Sequence, residues 1–469
     1  MSAAQYDFGM IGLGVMGRNF ILNVADNGFS AIGMDRSDDQ VEALLDEGKG
    51  KPVTATTDLA TFISSLSVPR RIMLLVPAGK IVDNVINDLL EHVEEGDLII
   101  DGGNSFYADT DRRHDLLKEH KIDFIGTGVS GGAKGARLGP SIMPGGDPNA
   151  YAKVQPILEA VSAKVNGEPC VAYMGRGSAG NYVKMVHNGI EYAMMQLLAE
   201  SYDILHQLGG LTNEDLHQTY TTYNAGRLQS FLVEITAEIF AQQDDLTDGM
   251  LIDAILDKAK QKGTGKWTSQ NAMDFGIPVP TIDAAVTMRG LSSLKDERMK
   301  AKKQLDIHLP DPAVDKSSLI DDVEASLFFT FITAYAQGLA LLAEASEEND
   351  YGLDMEATAR IWRGGCIIRA TLLEDIRKAY VNNPGLANLM MDDTFATYLK
   401  GTHAALRRII KMAVEHGIPT MALSSALAYF DSYRDGRLPL NLVQAQRDHF
   451  GSHTYERIDR EGKFHTEWG

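Results

Sequence analysis

Cysteine is nearly absent: Cys170 and Cys366 are the only two in 469 residues, far apart and without CxxC spacing. Neither a disulfide framework nor a thiolate zinc site is indicated, so both read as small buried apolar residues. No run of about 18 apolar residues stands out, the length a membrane span needs. The N-terminus enters a strand-like segment with no charged region leading into a long apolar stretch, so the reading is a cytoplasmic protein without a membrane partner. Positive charge is also scarce, with 44 Lys and Arg against 64 Asp and Glu, a formal net charge of −20. That field repels phosphodiester backbones and excludes nucleic acid as the main partner. An anionic small molecule would need a local cationic pocket, which makes the place of each Lys and Arg informative. Short-period repeats and low-complexity tracts are missing. Carboxylates are many, but none cluster at metal-ligand spacing, so no metal is expected.

What is present is ordinary globular material, 44% hydrophobic and 23% charged, in a chain long enough for two or three cored domains. The first part alternates short apolar strands with helical stretches, the pattern of a doubly wound parallel sheet. Strands are predicted at Tyr6–Ile11, Phe29–Met34, Arg71–Val76, Leu98–Asp101 and Asp123–Gly126, with a later one near Val171–Met174. Helices are predicted at Arg18–Asp26 and Tyr107–Glu119. From about Ser178 the period becomes helical, including Ala179–Leu208, Asp321–Ala345 and Thr394–His416. The expected fold is an α/β Rossmann-type domain over 1–177, a large all-α substrate and dimerisation domain over 178–435, and a C-terminal tail over 436–469. The tail is rich in Arg, His, Gly and aromatics with little amphipathic character. A polar tail of this length would hang loose on a monomer, so it is expected to dock on a second subunit.

After the first strand comes Gly12-Leu13-Gly14-Val15-Met16-Gly17, followed by an apolar helical run. This is the strand-turn-helix context in which G-x-G-x-x-G lets backbone amides approach a pyrophosphate at a helix N-terminus. Asp35, eighteen residues after Gly17, stands where a carboxylate would hold the adenine ribose diol of NAD. Arg36 and Ser37 follow at once, and a guanidinium with a hydroxyl suits the 2′-phosphate of NADP. Arg36 reads equally well as a solvated strand-end charge, so these residues leave NAD and NADP both open.

A second signal lies in Lys184-Met-Val-His187-Asn188-Gly-Ile-Glu191-Tyr192. Its polar and ionisable groups recur at i, i+3, i+4, i+7 and i+8, one face of a helix, while Met185, Val186, Ile190, Ala193 and Met194 form an apolar face. Solvated stripes are usually Lys, Glu, Gln and Ala; His, Asn and Tyr have no special helix preference, so the stripe reads as the lining of a catalytic site. Lys184 and Glu191, two turns apart, lie about 10 Å from each other along the axis and could flank a small linear substrate.

These segments, with Ile100-Asp-Gly-Gly-Asn104-Ser105, Gly128-Val-Ser130-Gly131-Gly132, Gln261-Lys262-Gly-Thr264-Gly-Lys266-Trp267 and Gln446-Arg447-Asp-His-Phe-Gly-Ser-His453-Thr-Tyr, resemble the 6-phosphogluconate dehydrogenase family from Phe8 to Trp468. The resemblance implies oxidative decarboxylation of 6-phosphogluconate to ribulose 5-phosphate and CO₂ without a metal, in the pentose phosphate pathway, with NADP or NAD as hydride acceptor. It assigns Lys184 as general base and acid and Glu191 as proton donor. Asn104, Ser130, Gly131, Gly132, His187 and Asn188 would hold the sugar-acid hydroxyls and carboxylate. Tyr192, Lys262, Thr264 and Arg289 would hold the phosphate, joined by Arg447 and His453 from a second subunit's tail, which implies a homodimer with shared sites. The cofactor side would include the glycine turn, Asp35, Arg36, Ser37, Val76, Pro77, Ala78 and Asn104. Three positions depart from the family's common residues: Gly14 for Ala, Asp35 for Asn and Pro77 for Lys. All three lie on the cofactor side. Asp448, His449 and Trp468 receive no function. Two other readings stand beside this one: a non-decarboxylating β-hydroxyacid dehydrogenase, and a catalytically silent sugar-phosphate sensor that kept an enzyme's fold.

Overall fold

A computed structural model describes residues 5–310 and 314–468; residues 1–4, 311–313 and 469, which fall within the three predicted spans, lie outside them. The first half alternates β1 (Phe8–Ile11), α1 (Val15–Asp26), β2 (Ala31–Met34), α2 (Asp38–Glu47), β3 (Val53–Thr56), α3 (Leu59–Ser64) and β4 (Arg71–Leu74). It continues through α4 (Lys80–Leu90), β5 (Leu98–Asp101), α5 (Tyr107–Glu119), β6 (Asp123–Ser130), α6 (Gly132–Leu138) and β7 (Ser141–Gly146). The strands form one sheet in the order β3-β2-β1-β4-β5-β6-β7. All pairs are parallel except β6 with β7. Central strands such as β1 and β5 are buried at every position, as expected where helices cover both faces. The order reverses between β1 and β4, and the crevice outside the carboxyl ends there is where such sheets take ligands.

One strand predicted for the sheet needs correction, and two of its strands were not predicted. Val171–Met174 is no strand; Val171 makes a single bridge to Ile142. The strand beside it is β7, whose Ser-Ile-Met-Pro-Gly-Gly reads as a turn because Pro and Gly dominate it, yet it pairs with β6 over six residues. Strand β3 also escaped prediction: its Val-Thr-Ala-Thr is short and only half-buried.

After α7 (Pro148–Ala152), α8 (Gln155–Val161) and a short hairpin of β8 (Lys164–Val165) with β9 (Glu168–Pro169), the chain turns helical. Helix α9 spans Ala179–Gln207, followed by α10 (Asn213–Asn224), α11 (Phe231–Ala241), α12 (Leu251–Ala254), α13 (Thr264–Phe275), α14 (Pro280–Ser293) and α15 (Lys295–Gln304). Then come α16 (Lys316–Glu348), α17 (Met355–Trp362), α18 (Leu372–Asn382), α19 (Asp393–Glu415), α20 (Met421–Tyr433) and α21 (Leu440–Gly451). Contrary to the expectation from the sequence, α16 is long and apolar enough to cross a membrane by length and composition, but 89% of its most apolar window is buried in the protein. It is the core helix of this half, apolar around its whole circumference because other helices surround it.

The tail is folded, not loose. Helix α21 leads into a hairpin of β10 (Tyr455–Glu456) and β11 (Lys463–Phe464). Asp448, fully buried, ties them together by accepting from the amides of Thr454 (2.9 Å) and Thr466 (3.0 Å), the Trp468 indole (2.9 Å) and His465 (2.8 Å). Burial alone would raise the Asp448 carboxyl, but these bonds hold it well below the usual carboxylate range. Asp448 and Trp468, without a role in the sequence, hold the tail's shape.

One contact positions everything that follows. Helix α9 lies directly on β6 and β7 because the facing residues are glycines. A methyl at Gly180 would overlap the carbonyl oxygens of Gly126 and Met143, and one at Gly128 would overlap Cβ of Lys184. Inserting a methyl into so tight a contact costs about 1–3 kcal/mol. Gly180→Ala is therefore expected to lower the midpoint of urea unfolding and to reduce turnover together, since the helix must lift; equal stability and activity would show that the seam tolerates separation.

Candidate active site

Residues 181–190 of α9 are buried at every position, the polar ones included. Lys184 Nζ donates to Asn188 Oδ1 at 2.8 Å and lies 3.4 Å from His187 Nδ1. His187 Nδ1 is 3.1 Å from Asn188 Oδ1, and its Nε2 is hydrogen bonded to Ser130 Oγ of β6 at 3.3 Å. The imidazole is held edge-on by the buried ring of Trp362, with centroids 5.5 Å apart. One turn on, Glu191 Oε2 is 3.9 Å from His187 Nδ1 and keeps 20% of its side chain exposed. The stripe predicted from spacing is thus one connected polar cluster with its open side at Glu191.

Removal from water sets its electrostatics. Burial pushes the Lys184 ammonium below the ordinary lysine value, opposed in part by the Glu191 carboxylate. Burial and the neighbouring Lys184 hold His187 well below its usual range, so the ring is neutral. Burial raises the Glu191 carboxyl against the pull of Lys184 and Arg289. An amine that loses its proton easily and a carboxyl that keeps its proton longer are the pair that general acid–base chemistry needs.

Beyond Glu191, the Arg289 guanidinium of α14 stacks over the Tyr192 ring at 4.4 Å and donates to the Lys260 carbonyl (2.8 Å). Helix α13 begins at buried Thr264, and Gly265 allows Tyr192 to pack against that first turn. Lys262 is exposed on the preceding loop. Gly131, at φ +124°, lies against the Gly365 carbonyl, and Gly132, at φ +61°, faces open space. Asn104 is exposed on the turn after β5. The structure does not bring Arg447 and His453 to this cluster: Arg447 donates to Gln444 (3.0 Å), His453 packs edge-on to Phe450, and among the described residues neither bonds to the α9 set.

At the strand-order reversal a crevice of about 460 Å³ is lined by Gly12, Gly14, Asp35, Arg36, Val76 and Pro77, among others. Gly12 has φ +97° and a methyl there would overlap the Leu75 carbonyl, and a methyl at Gly17 would overlap the Gly12 carbonyl, so both glycines serve the turn. A methyl at Gly14 would meet nothing within 4 Å, so the crevice has open room at this turn. Leu13 is buried in the core and Val15 is 58% exposed beside the turn. Met16 is half-buried in the first turn of α1, and Ala78 is exposed on the opposite lip. Asp35 uses both carboxylate oxygens internally, accepting from the amides of Leu13 (2.7 Å) and Ser37 (3.0 Å). Arg36 is exposed, with Asp88 as its partner at 3.0 Å. A glycine-lined turn, apolar walls and an exposed guanidinium fit a dinucleotide carrying a 2′-phosphate. Among the described residues, no group of three or more His, Cys, Asp or Glu side chains is placed to hold a metal ion.

Sequence reasoning missed Asn181, Trp362, Gly126 and Gly180, and named Gly128 without a role. Extending the polar stripe one turn back from Lys184 would have found Asn181; Trp362 carries no signal at all, since it meets His187 from a distant helix. Replacing Lys184 by Met tests the cost of this burial. Because the folded state lowers the lysine pKa, the unfolded chain binds the extra proton, and stability falls as pH drops below the unfolded value. Lys184→Met is expected to abolish turnover while raising stability at neutral pH by roughly 0.5–2 kcal/mol, a gain that shrinks as pH rises towards about 10.4; denaturant titrations at neutral and alkaline pH measure it.

Two family models cover nearly the whole chain. One described as "NAD binding domain of 6-phosphogluconate dehydrogenase" matches residues 7–175, and one described as "6-phosphogluconate dehydrogenase, C-terminal domain" matches 180–468. The chain is 52% identical over 466 residues to the NADP(+)-dependent, decarboxylating 6-phosphogluconate dehydrogenase of Bacillus subtilis (strain 168), covering 99% of each. It is 48% identical over 467 residues, again 99% of each, to the decarboxylating enzyme of Lactococcus lactis subsp. lactis (strain IL1403). Among solved structures, Plasmodium falciparum 6-phosphogluconate dehydrogenase, described in its apo form and in complexes with NADP+ and with its substrate 6-phosphogluconate, superposes with a TM-score of 0.95 at 46% identity, covering 98% of this chain and 100% of that one.

Proposed function

Because the chain belongs to the 6-phosphogluconate dehydrogenase family, we propose a residue-level account of its reaction, the oxidative decarboxylation of 6-phospho-D-gluconate to D-ribulose 5-phosphate and CO₂ with NADP. The observation that carries it is the buried Lys184–His187–Asn188–Ser130 cluster, which opens at Glu191. The turn from Gly12 to Gly17 would hold NADP, which would supply the acceptor for the hydride of substrate C3. In this chain Arg36 and Ser37 are the groups available for the 2′-phosphate, since Asp35 already caps two amides. Val76, Pro77 and Ala78 form the opposite lip, and Asn104 stands at the turn between cofactor and substrate.

Lys184, neutral at the start, takes the proton of the C3 hydroxyl. The ammonium so formed then polarises the C3 carbonyl, which lets the bond to the carboxylate carbon break and leaves an enediol. Lys184 gives its proton to the C3 oxygen as the enediol forms and takes it back as Glu191, its proton held by burial, donates to the former C2, which becomes C1 of ribulose 5-phosphate. Neutral His187 with Asn188, Ser130, Gly131, Gly132 and Asn104 would bind the hydroxyls and carboxylate. Tyr192, Thr264, Lys262 and the stacked Arg289 would bind the phosphate. The β-hydroxyacid and silent-sensor readings give way to this one, because full-length relatives near 50% identity carry the decarboxylating activity.

We propose further that the chain divides at 177 and 435 as its sequence suggested, and that two copies pair so that each tail completes the other's site. Arg447 and His453 are exposed on a folded tail that also exposes Leu440, Leu442, Phe450 (74%) and Ile458 (89%). Such a surface is built to be covered. A charged hydrogen bond to phosphate is worth roughly 1.5–3 kcal/mol, so Arg447→Ala should raise the KM for 6-phosphogluconate at least about tenfold while the Kd for NADP holds; an unchanged KM removes the tail from the site. The reaction itself is tested by offering 6-phosphogluconate with NADP and with NAD separately and following reduced cofactor and CO₂. NADPH and CO₂ in equal amounts are expected, and silence with both cofactors would overturn the assignment.

A further inference from the structure

On the reading that the crevice and α9 form one active site, we propose that Arg113 is a positioning residue that sets the cofactor lip, the Asn104 turn and the Lys184 helix in one register for hydride transfer. Arg113 lies on α5, touches none of the residues assigned to substrate or cofactor, and has 1% of its side chain exposed. Its fork spans two loops. Nε donates to Asp83 Oδ1 (2.8 Å) and Nη2 to the Gly79 carbonyl (3.0 Å), both at the start of α4, where the lip Val76–Pro77–Ala78 ends. Nη1 donates to Asp101 Oδ2 (3.1 Å) and to Ser105 Oγ (3.2 Å), on the turn after β5.

That turn is pinned from inside as well. Asp101, fully buried, accepts from the Gly103 amide (3.0 Å) and from Ser105 Oγ (2.6 Å), so the residues on both sides of Asn104 are fixed. The Gly103 carbonyl then accepts from Asn181 Nδ2 (3.3 Å), whose Oδ1 is held by Thr110 Oγ1 (2.9 Å). Asn181 stands one helical turn before Lys184. Hydrogen bonds therefore link Gly79 to the catalytic helix through Arg113, Asp101 and Gly103.

The residue type fits the task. A guanidinium offers five donors in a rigid plane and can bridge two loops at fixed spacing, whereas an ammonium is a point charge on a flexible stem. Net stability is a weak reason for such a group, since buried ion pairs add little over well-packed apolar residues. What the pair does supply is geometry, and misplacing reacting groups by about 1 Å can cost about a hundredfold in rate.

Arg113→Lys keeps the charge and loses the fork. In the full-length enzyme, kcat is expected to fall roughly ten- to a hundredfold while the NADP Kd, read by fluorescence, stays within about threefold. The deuterium isotope effect on kcat with substrate labelled at C3 should rise, because hydride transfer becomes the slow step. A folded variant with wild-type kcat overturns the proposal, as does a fall in kcat without a rise in the isotope effect. Should Arg113→Lys not fold, Ser105→Ala removes one tooth and keeps the ion pair; the same signature at several-fold smaller size supports the proposal, and wild-type kinetics overturn it. The wild-type arm keeps the two readings apart: no NADPH from 6-phosphogluconate there contradicts the functional reading, whereas Arg113 is judged by the difference between variant and wild type.

Discussion

The seam between α9 and the β6–β7 edge is the contact on which the site depends. Gly145 and Gly180 let helix backbone rest on strand backbone, and Gly126 and Gly128 make room for the Asn181 and Lys184 side chains of that helix. A helix packed at ordinary distance would leave a gap that water could fill, and Lys184 would be an ordinary surface lysine. At the observed distance its aliphatic stem lies against Gly128 and its amine sits among Asn188 and His187, out of solvent. The backbone fit thus decides the chemistry of the side chain.

From this burial the remaining electrostatics follow. A chain with a net charge of −20 keeps two cations along this helix: Lys184 in the interior, and Arg289 stacked on Tyr192 beyond Glu191. His187 stays neutral beside Lys184, which leaves it free to act as a hydrogen-bonding group instead of a competing charge. Polar groups in such surroundings are costly unless each has a partner. Here Ser130 and Asn188 partner His187 and Lys184 before any substrate arrives, so the cluster is organised in advance.

Much of this was legible in the chain. The strand-turn-helix glycine motif, the polar stripe at i, i+3, i+4, i+7 and i+8, and the change from strand to helix period near Ser178 are local patterns, and the local physics of helices and turns reads them. The misses have a common cause. Strand β7, with Pro and two glycines, is a strand because β6 pairs with it; Trp362 meets His187 from 175 residues away; Arg113 looks like a surface residue in Asp-Arg-Arg-His until its loops close over it. The tail is the same case, since Asp448 becomes informative only when Thr454, His465 and Trp468 converge on it. Contacts made across the fold leave no period in the sequence.

The central claim is that Lys184 is a desolvated amine that gives up its proton readily. Nitrogen-15 labelling of the lysine side chains, with Lys184→Met to assign its signal, allows its titration to be followed directly by NMR. A midpoint clearly below the surface lysines, which titrate near 10.4, is the result this account predicts. A midpoint at or above theirs would contradict it and require another base for the C3 hydroxyl.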